Sequence, residues 1–115
     1  MTVVDGMTGK IVATQPIGPG VDAIEFDSKT GLLYASTGGN GGALSIFQQD
    51  CPDKYTRVEN VKTLPGARTL ALDHKTGMVY LPVADVGPVP AATAENPQPR
   101  ARTISGSFSV LVIGR

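Results

Sequence analysis

The residues able to do chemistry are few and scattered. There is one histidine, His74, and one cysteine, Cys51, and no tryptophan. A single imidazole cannot make a zinc site that needs two or three from one chain, and a lone thiol forbids an intrachain disulfide or a multi-cysteine metal centre. Cys51 lies in QDCPDK with no basic neighbour to make it a nucleophile, and is expected as a surface or half-buried thiol. His74 lies in DHKTG with no serine or cysteine motif around it, which argues against a triad. Asp27 and Asp73 could suggest calcium, but one carboxylate without alternating Asp or Asn is far from a calcium loop, and turn capping is the simpler reading. The run GGNGG at 38–42 could cradle a phosphate on its amides, yet it lacks the Lys-Ser/Thr ending of a P-loop and no helix follows. A turn between strands is expected there. No metal or cofactor is expected.

Composition narrows the classes further. Ten Lys plus Arg balance ten Asp plus Glu, so the electrostatic footprint of a nucleic-acid or anionic-membrane binder is missing. Aromatic residues make up 5%, too few for a platform that stacks single-stranded bases. No apolar run approaches the ~18 residues that span a bilayer, and MTVVDGMTGK lacks the basic and apolar regions of a signal peptide. Neither nucleic acid nor membrane insertion is therefore expected. Fourteen Gly and nine Pro favour turns over long helices.

The elements that must position any site come from a repeat. PGVDAIEFDSKTGLLYAST (19–37) aligns without a gap on PGARTLALDHKTGMVYLPV (65–83) at a shift of 46, with seven identities in nineteen positions. Average composition would give roughly one or two. Each copy reads as a hairpin: Ile24 and Phe26 alternate with Ala23 and Glu25, DSKTG makes a turn, and LLYAS returns. Strands are predicted at 21–27, 32–37, 43–49 and 55–63, then at 67–73, 78–84 and 107–113, with a pair at 2–5 and 10–17 ahead of them. The connection at 84–106 is long and rich in Pro and Ala.

Nine strands with no helix, four to a repeat of about 45 residues, predict all-β propeller blades built from four-stranded antiparallel sheets. The organisation is 1–18 as the last two strands of one blade, 19–64 as a complete blade, and 65–115 as a blade lacking its outer strand. This makes about two and a quarter blades. VVDGMTGKIVATQPIG, DSKTGLLYAS and DHKTGMVYLP resemble the YVTN repeat, and the chain looks like the carboxyl-terminal blades of YncE-like bacterial propeller proteins. The resemblance implies an extracytoplasmic, periplasmic protein. It also implies either a part of a longer chain or a unit that completes a ring by oligomerising, with GKIVATQPI donated to the three-stranded blade of a neighbour.

Asp22 and Arg68 occupy the same repeat position at the start of a blade's first strand, where propellers line their channel. The loops 38–42, with Asn40, and 84–106, with Arg100 and Arg102, belong to the same face. These five residues are the candidate ligand contacts, and an Asp22–Arg68 salt bridge is the simpler role for the first pair. The expected function is a non-catalytic binding or scaffold module for a protein or small-molecule ligand. The alternative is part of a propeller enzyme, lactonase-like or quinoprotein dehydrogenase-like, with its catalytic residues mostly outside this chain.

Overall fold

The computed structural model describes residues 1–114. They are all-β, with antiparallel pairing throughout and no helix. Nine strands form three sheets: β1 (Thr2–Val4) with β2 (Ile11–Thr14); β3 (Val21–Asp27), β4 (Leu32–Thr37), β5 (Ala43–Cys51) and β6 (Lys54–Lys62), paired in chain order; and β7 (Ala71–Leu72), β8 (Val79–Val83) and β9 (Ser109–Ile113).

One turn chemistry recurs at the hairpins. In DGMTG, DSKTG and DHKTG the glycine amide donates to the aspartate carbonyl at 2.8 Å, with Gly9, Gly31 and Gly77 at φ of 70°, 71° and 73°. This left-handed backbone is open to glycine at little cost. Each aspartate carboxylate accepts from the turn: Asp5 from the amides of Met7 and Thr8, Asp27 from the Lys29 amide and the Thr30 hydroxyl, Asp73 from the Lys75 amide and the Thr76 hydroxyl. Those bonds favour the charged carboxylate, so all three aspartates are held below the usual carboxylate range. The Thr30 and Thr76 hydroxyls are the main cause at Asp27 and Asp73, and the Thr8 amide at Asp5. Asp27 differs from the other two in being buried, because the second turn lies against it.

The core lies between the four-stranded and three-stranded sheets. Leu32, Tyr34, Leu44 and Ile46 on one side meet Ala67, Val79, Leu81 and Val83 on the other, with Val61, Leu70, Leu72, Leu111 and Ile113 packed around them. The pairings Tyr34↔Ile46 and Ser36↔Leu44 put these side chains on one face, and Leu33↔Phe47 and Ala35↔Ser45 on the opposite face, as period-two alternation requires. That opposite face receives the β1–β2 hairpin over its outer half. Gln15 donates to the Tyr55 carbonyl, Arg57 donates to the Pro16 carbonyl, and the Arg57 guanidinium lies 5.5 Å from the Phe47 ring centre.

The strands fall where the repeat puts them, with one clear shortfall. A strand over 67–73 is expected, yet β7 pairs only at Ala71↔Tyr80 and Leu72↔Val79. The Asp73 amide donates to the Met78 carbonyl at 2.9 Å, which makes Ala71/Tyr80 and then Thr69/Pro82 the next hydrogen-bonding pairs along the ladder. Pro82 has no N–H to donate, and the ladder stops there. Its counterpart in the first repeat is Ser36, which pairs with Ala23. The predicted strands at 107–113 and 10–17 are likewise shorter, starting at Ser109 and ending at Thr14. Segment 84–106 is irregular apart from the bridge Val86↔Thr103 and the bond from the Gly87 amide to the Arg102 carbonyl at 2.9 Å.

Candidate functional site

The site is built at the end of the stack where β3 starts. Pro19-Gly20 and Pro65-Gly66 turn the chain into the two repeats, and the loop after β4 crosses between them. The Gly38 amide donates to the Gly20 carbonyl at 3.0 Å and the Gly66 amide to the Gly38 carbonyl at 3.3 Å, so the loop stitches the two Pro-Gly turns together. Gly38 and Gly39 allow this close approach. A Cβ on Gly39 would lie 2.8 Å from the Pro19 carbonyl oxygen, and one on Gly38 would lie 2.9 Å from the Arg68 Cβ. Asn40 sits at the tip with φ of 50°, the only non-glycine residue with positive φ among those described. The loop is therefore a packed crossing whose amides at Gly38 and Gly39 are already bonded to carbonyls, and they are not free to cradle an anion.

Arg68 Nε lies 3.5 Å from Asp22 Oδ2, with the two side chains 67% and 47% exposed. The pair expected from the repeat is thus formed, and at that exposure it is worth at most about 1 kcal/mol. Beside it opens a cleft of about 420 Å³ lined by Gly20, Gly38, Gly39, Gly66, Arg68, Ala84 and Val86. Arg68 is the cationic group of this cleft. Segment 84–106 reaches it only through Ala84 and Val86. Arg100 and Arg102 are exposed side chains on that segment and do not line the cleft, and neither does Asn40.

Sequence reasoning missed Ser36. Fully buried near the end of LLYAST, it donates its hydroxyl to the Arg68 carbonyl and lies 3.4 Å from the Ala23 carbonyl. It ties β4 of the first repeat to the Arg68 backbone at the start of the second. Two adjacent polar residues, Ser36 and Thr37, closing an otherwise apolar run were the available signal. Ser45 makes the comparable contact within its sheet, donating to Asn60 Oδ1 at 2.8 Å.

The other chemically capable residues lie at the opposite end, in or beside the turns there. His74 is exposed, its Nδ1 3.8 Å from Asp27 Oδ1, and its carbonyl accepts from Lys29 Nζ at 2.9 Å. These contacts latch the two DxKTG turns. Cys51 is exposed at the end of β5, and its thiol donates to Asp53 Oδ1 at 3.0 Å. That bond to a carboxylate pushes the thiol pKa up, away from a reactive thiolate. Among the described residues, no three His, Cys, Asp or Glu side chains come together as a metal-binding group. Nor is any helix long and apolar enough to cross a membrane.

Comparison with known proteins gives no match to a family model, a curated protein or a solved structure.

Proposed function

We propose that this chain is a non-catalytic β-propeller binding or scaffold module of the YVTN/YncE-like kind, acting outside the cytoplasm and binding its ligand at the cleft beside Arg68. The observation that carries this reading is the exposed Arg68–Asp22 pair, with the Arg68 carbonyl bonded by buried Ser36, at the rim of the 420 Å³ cleft. A weak, solvent-facing ion pair opens at little free-energy cost. A ligand carboxylate can replace Asp22 on the guanidinium, with two N–H bonds in place of one contact. Ala84 and Val86 supply an apolar wall, and the glycine backbone around them leaves room for an extended ligand. The blade reading rests on the 46-residue repeat and on two repeat-related sheets that share one core through opposite faces.

The test is an NMR titration of the ¹⁵N-labelled chain with short peptides that bear a free carboxylate. Shifts are expected to cluster at Gly38, Gly39, Gly66, Arg68 and Ala84, and to vanish in Arg68→Ala. Shifts scattered over the surface, or unchanged in Arg68→Ala, would remove the cleft as the binding site.

A further inference from the structure

The two outer surfaces of the stack are halves of an interface that the molecule already contains once. On the three-stranded sheet, Tyr80↔Val112 and Pro82↔Val110 form the face turned away from the core, with Val110 and Val112 45% and 57% exposed. In the repeat these positions correspond to Tyr34↔Ile46 and Ser36↔Leu44, the buried face of the four-stranded sheet. At the other end of the stack, Ile24 and Phe26 are 50% and 39% exposed. Their counterparts at the shift of 46 are Leu70 and Leu72, which pack against the core. Each exposed surface is thus repeat-equivalent to one side of the packed sheet–sheet contact. The β1–β2 hairpin leaves uncovered the inner half that β7 and β8 would occupy.

Among the described residues no strand pairs with the outer edge of β9, which completes the correspondence. Because Tyr80 bonds toward β7, Val79 and Leu81 bond toward β9, and the backbone N–H and C=O of Val110 and Val112 point to the open side. Next to that edge is a crevice of about 290 Å³ walled by Tyr34, Ile46, Val58, Val61 and Ile113. In the four-stranded sheet the equivalent edge, that of β5, carries β6. Aligning Pro19-Gly20 with Pro65-Gly66 makes β2 the counterpart of β6.

From this we infer that the chain binds a second copy of itself head to tail. The outer face of β8–β9 covers Ile24 and Phe26 of the next copy, and β9 takes the place of the short, bulged β1 beside that copy's β2. The accessible area supports this occupant. It is 7605 Å², about 1,600 Å² more than the ~6,000 Å² of a compact monomer of this mass. The irregular segment 84–106 contributes part of the excess and the two end surfaces the rest. Each copy uses both ends, so what is left after the share of 84–106 is less than the roughly 800 Å² per partner of a standard interface at each end, and the contact is a small one. The two surfaces differ, so the contact is heterologous and propagates to a ring or an open array. It rests on the blade reading above.

Ile46 pairs with Glu59, so the repeat puts Val112 of one copy opposite Ala13 of the next. The test uses the full chain with Cys51→Ser, Ala13→Cys and Val112→Cys, under mild oxidation. A control carries Met7→Cys, 95% exposed in the hairpin turn, in place of Ala13→Cys. Covalent dimers and longer ladders are expected from the 13/112 pair, several-fold above the control, and Val110→Pro, which removes an outward N–H, is expected to reduce them. Single-copy mass only, or ladders equal to the control, would overturn the proposal. Hydrogen exchange separates the causes. Protected amides at Leu81 and Leu111 without ladders would overturn only the partner, whereas unprotected amides there would overturn the blade reading too.

Discussion

Replacing Leu81 by alanine tests the sheet–sheet core directly. Leu81 is fully buried in β8, opposite Leu111, and faces the four-stranded sheet. Burial of a leucine side chain is worth about 1.5–3 kcal/mol, and the cavity left by Leu→Ala raises the loss to about 2–5 kcal/mol. The crevice bounded by Leu32, Tyr34, Ile46 and Ile113 borders the same core and gives those side chains room to relax. The expected loss is therefore in the lower half of that range, about 2–3 kcal/mol. A chain of this length has a stability of about 6–17 kcal/mol, and two uncovered sheet surfaces place this one toward the lower end. Urea unfolding followed by far-UV circular dichroism is the assay. With a slope of about 1.2 kcal/mol per molar, the midpoint should fall by about 2 M. Val89→Ala, at a 62% exposed position in segment 84–106, should change stability by less than about 0.5 kcal/mol. A loss below about 1 kcal/mol for Leu81→Ala, or one equal to that of Val89→Ala, would mean that the two sheets do not share a core in solution.

Other perturbations probe the turns and the crossing loop. The depressed carboxyl groups of Asp5, Asp27 and Asp73 contribute stability above the unfolded aspartate pKa near 4, and that contribution is lost as pH falls through the lower folded values. Melting temperature should hold from pH 7 to about 5 and then drop, with a smaller drop in the Asp27→Asn, Asp73→Asn double variant; equal drops would refute the assignment. Gly77→Ala meets only the left-handed backbone, a cost of about 1–2 kcal/mol, because nothing lies within 4 Å of the added Cβ. Gly42→Ala should cost clearly more, since its Cβ would overlap the Leu64 carbonyl oxygen; comparable unfolding midpoints would contradict the packing of the loop. Ser36→Ala leaves the Arg68 carbonyl without its hydroxyl donor and should destabilise by about 1–2 kcal/mol in the same urea assay, while an unchanged midpoint would remove the tie between repeats.

The sequence by itself determined the strands and their turns. Alternation over Ala23–Phe26 and the three D-x-x-T-G turns are local: the aspartate bonds amides and hydroxyls two or three residues on, and glycine takes the positive φ. The 46-residue shift also placed Asp22 and Arg68 at matching positions, and the structure brings them to 3.5 Å. Tertiary packing decided what the repeat alone could not. Repeat-equivalent turns differ in burial, with Asp27 buried and Asp73 partly exposed, because the turn that carries His74 lies against Asp27. Ile24 and Leu70 have the same local pattern, yet one faces solvent and the other a core, since burial depends on which sheet lies opposite. The cleft beside Arg68 takes its walls from positions far apart in the chain, Gly20, Gly38, Gly66 and Ala84. Ser36 acquires its role the same way, since a buried hydroxyl must find an acceptor and only the stacked neighbour supplies the Arg68 carbonyl. Contacts within a few residues follow from residue type and spacing, whereas contacts between sheets depend on how the whole stack is assembled.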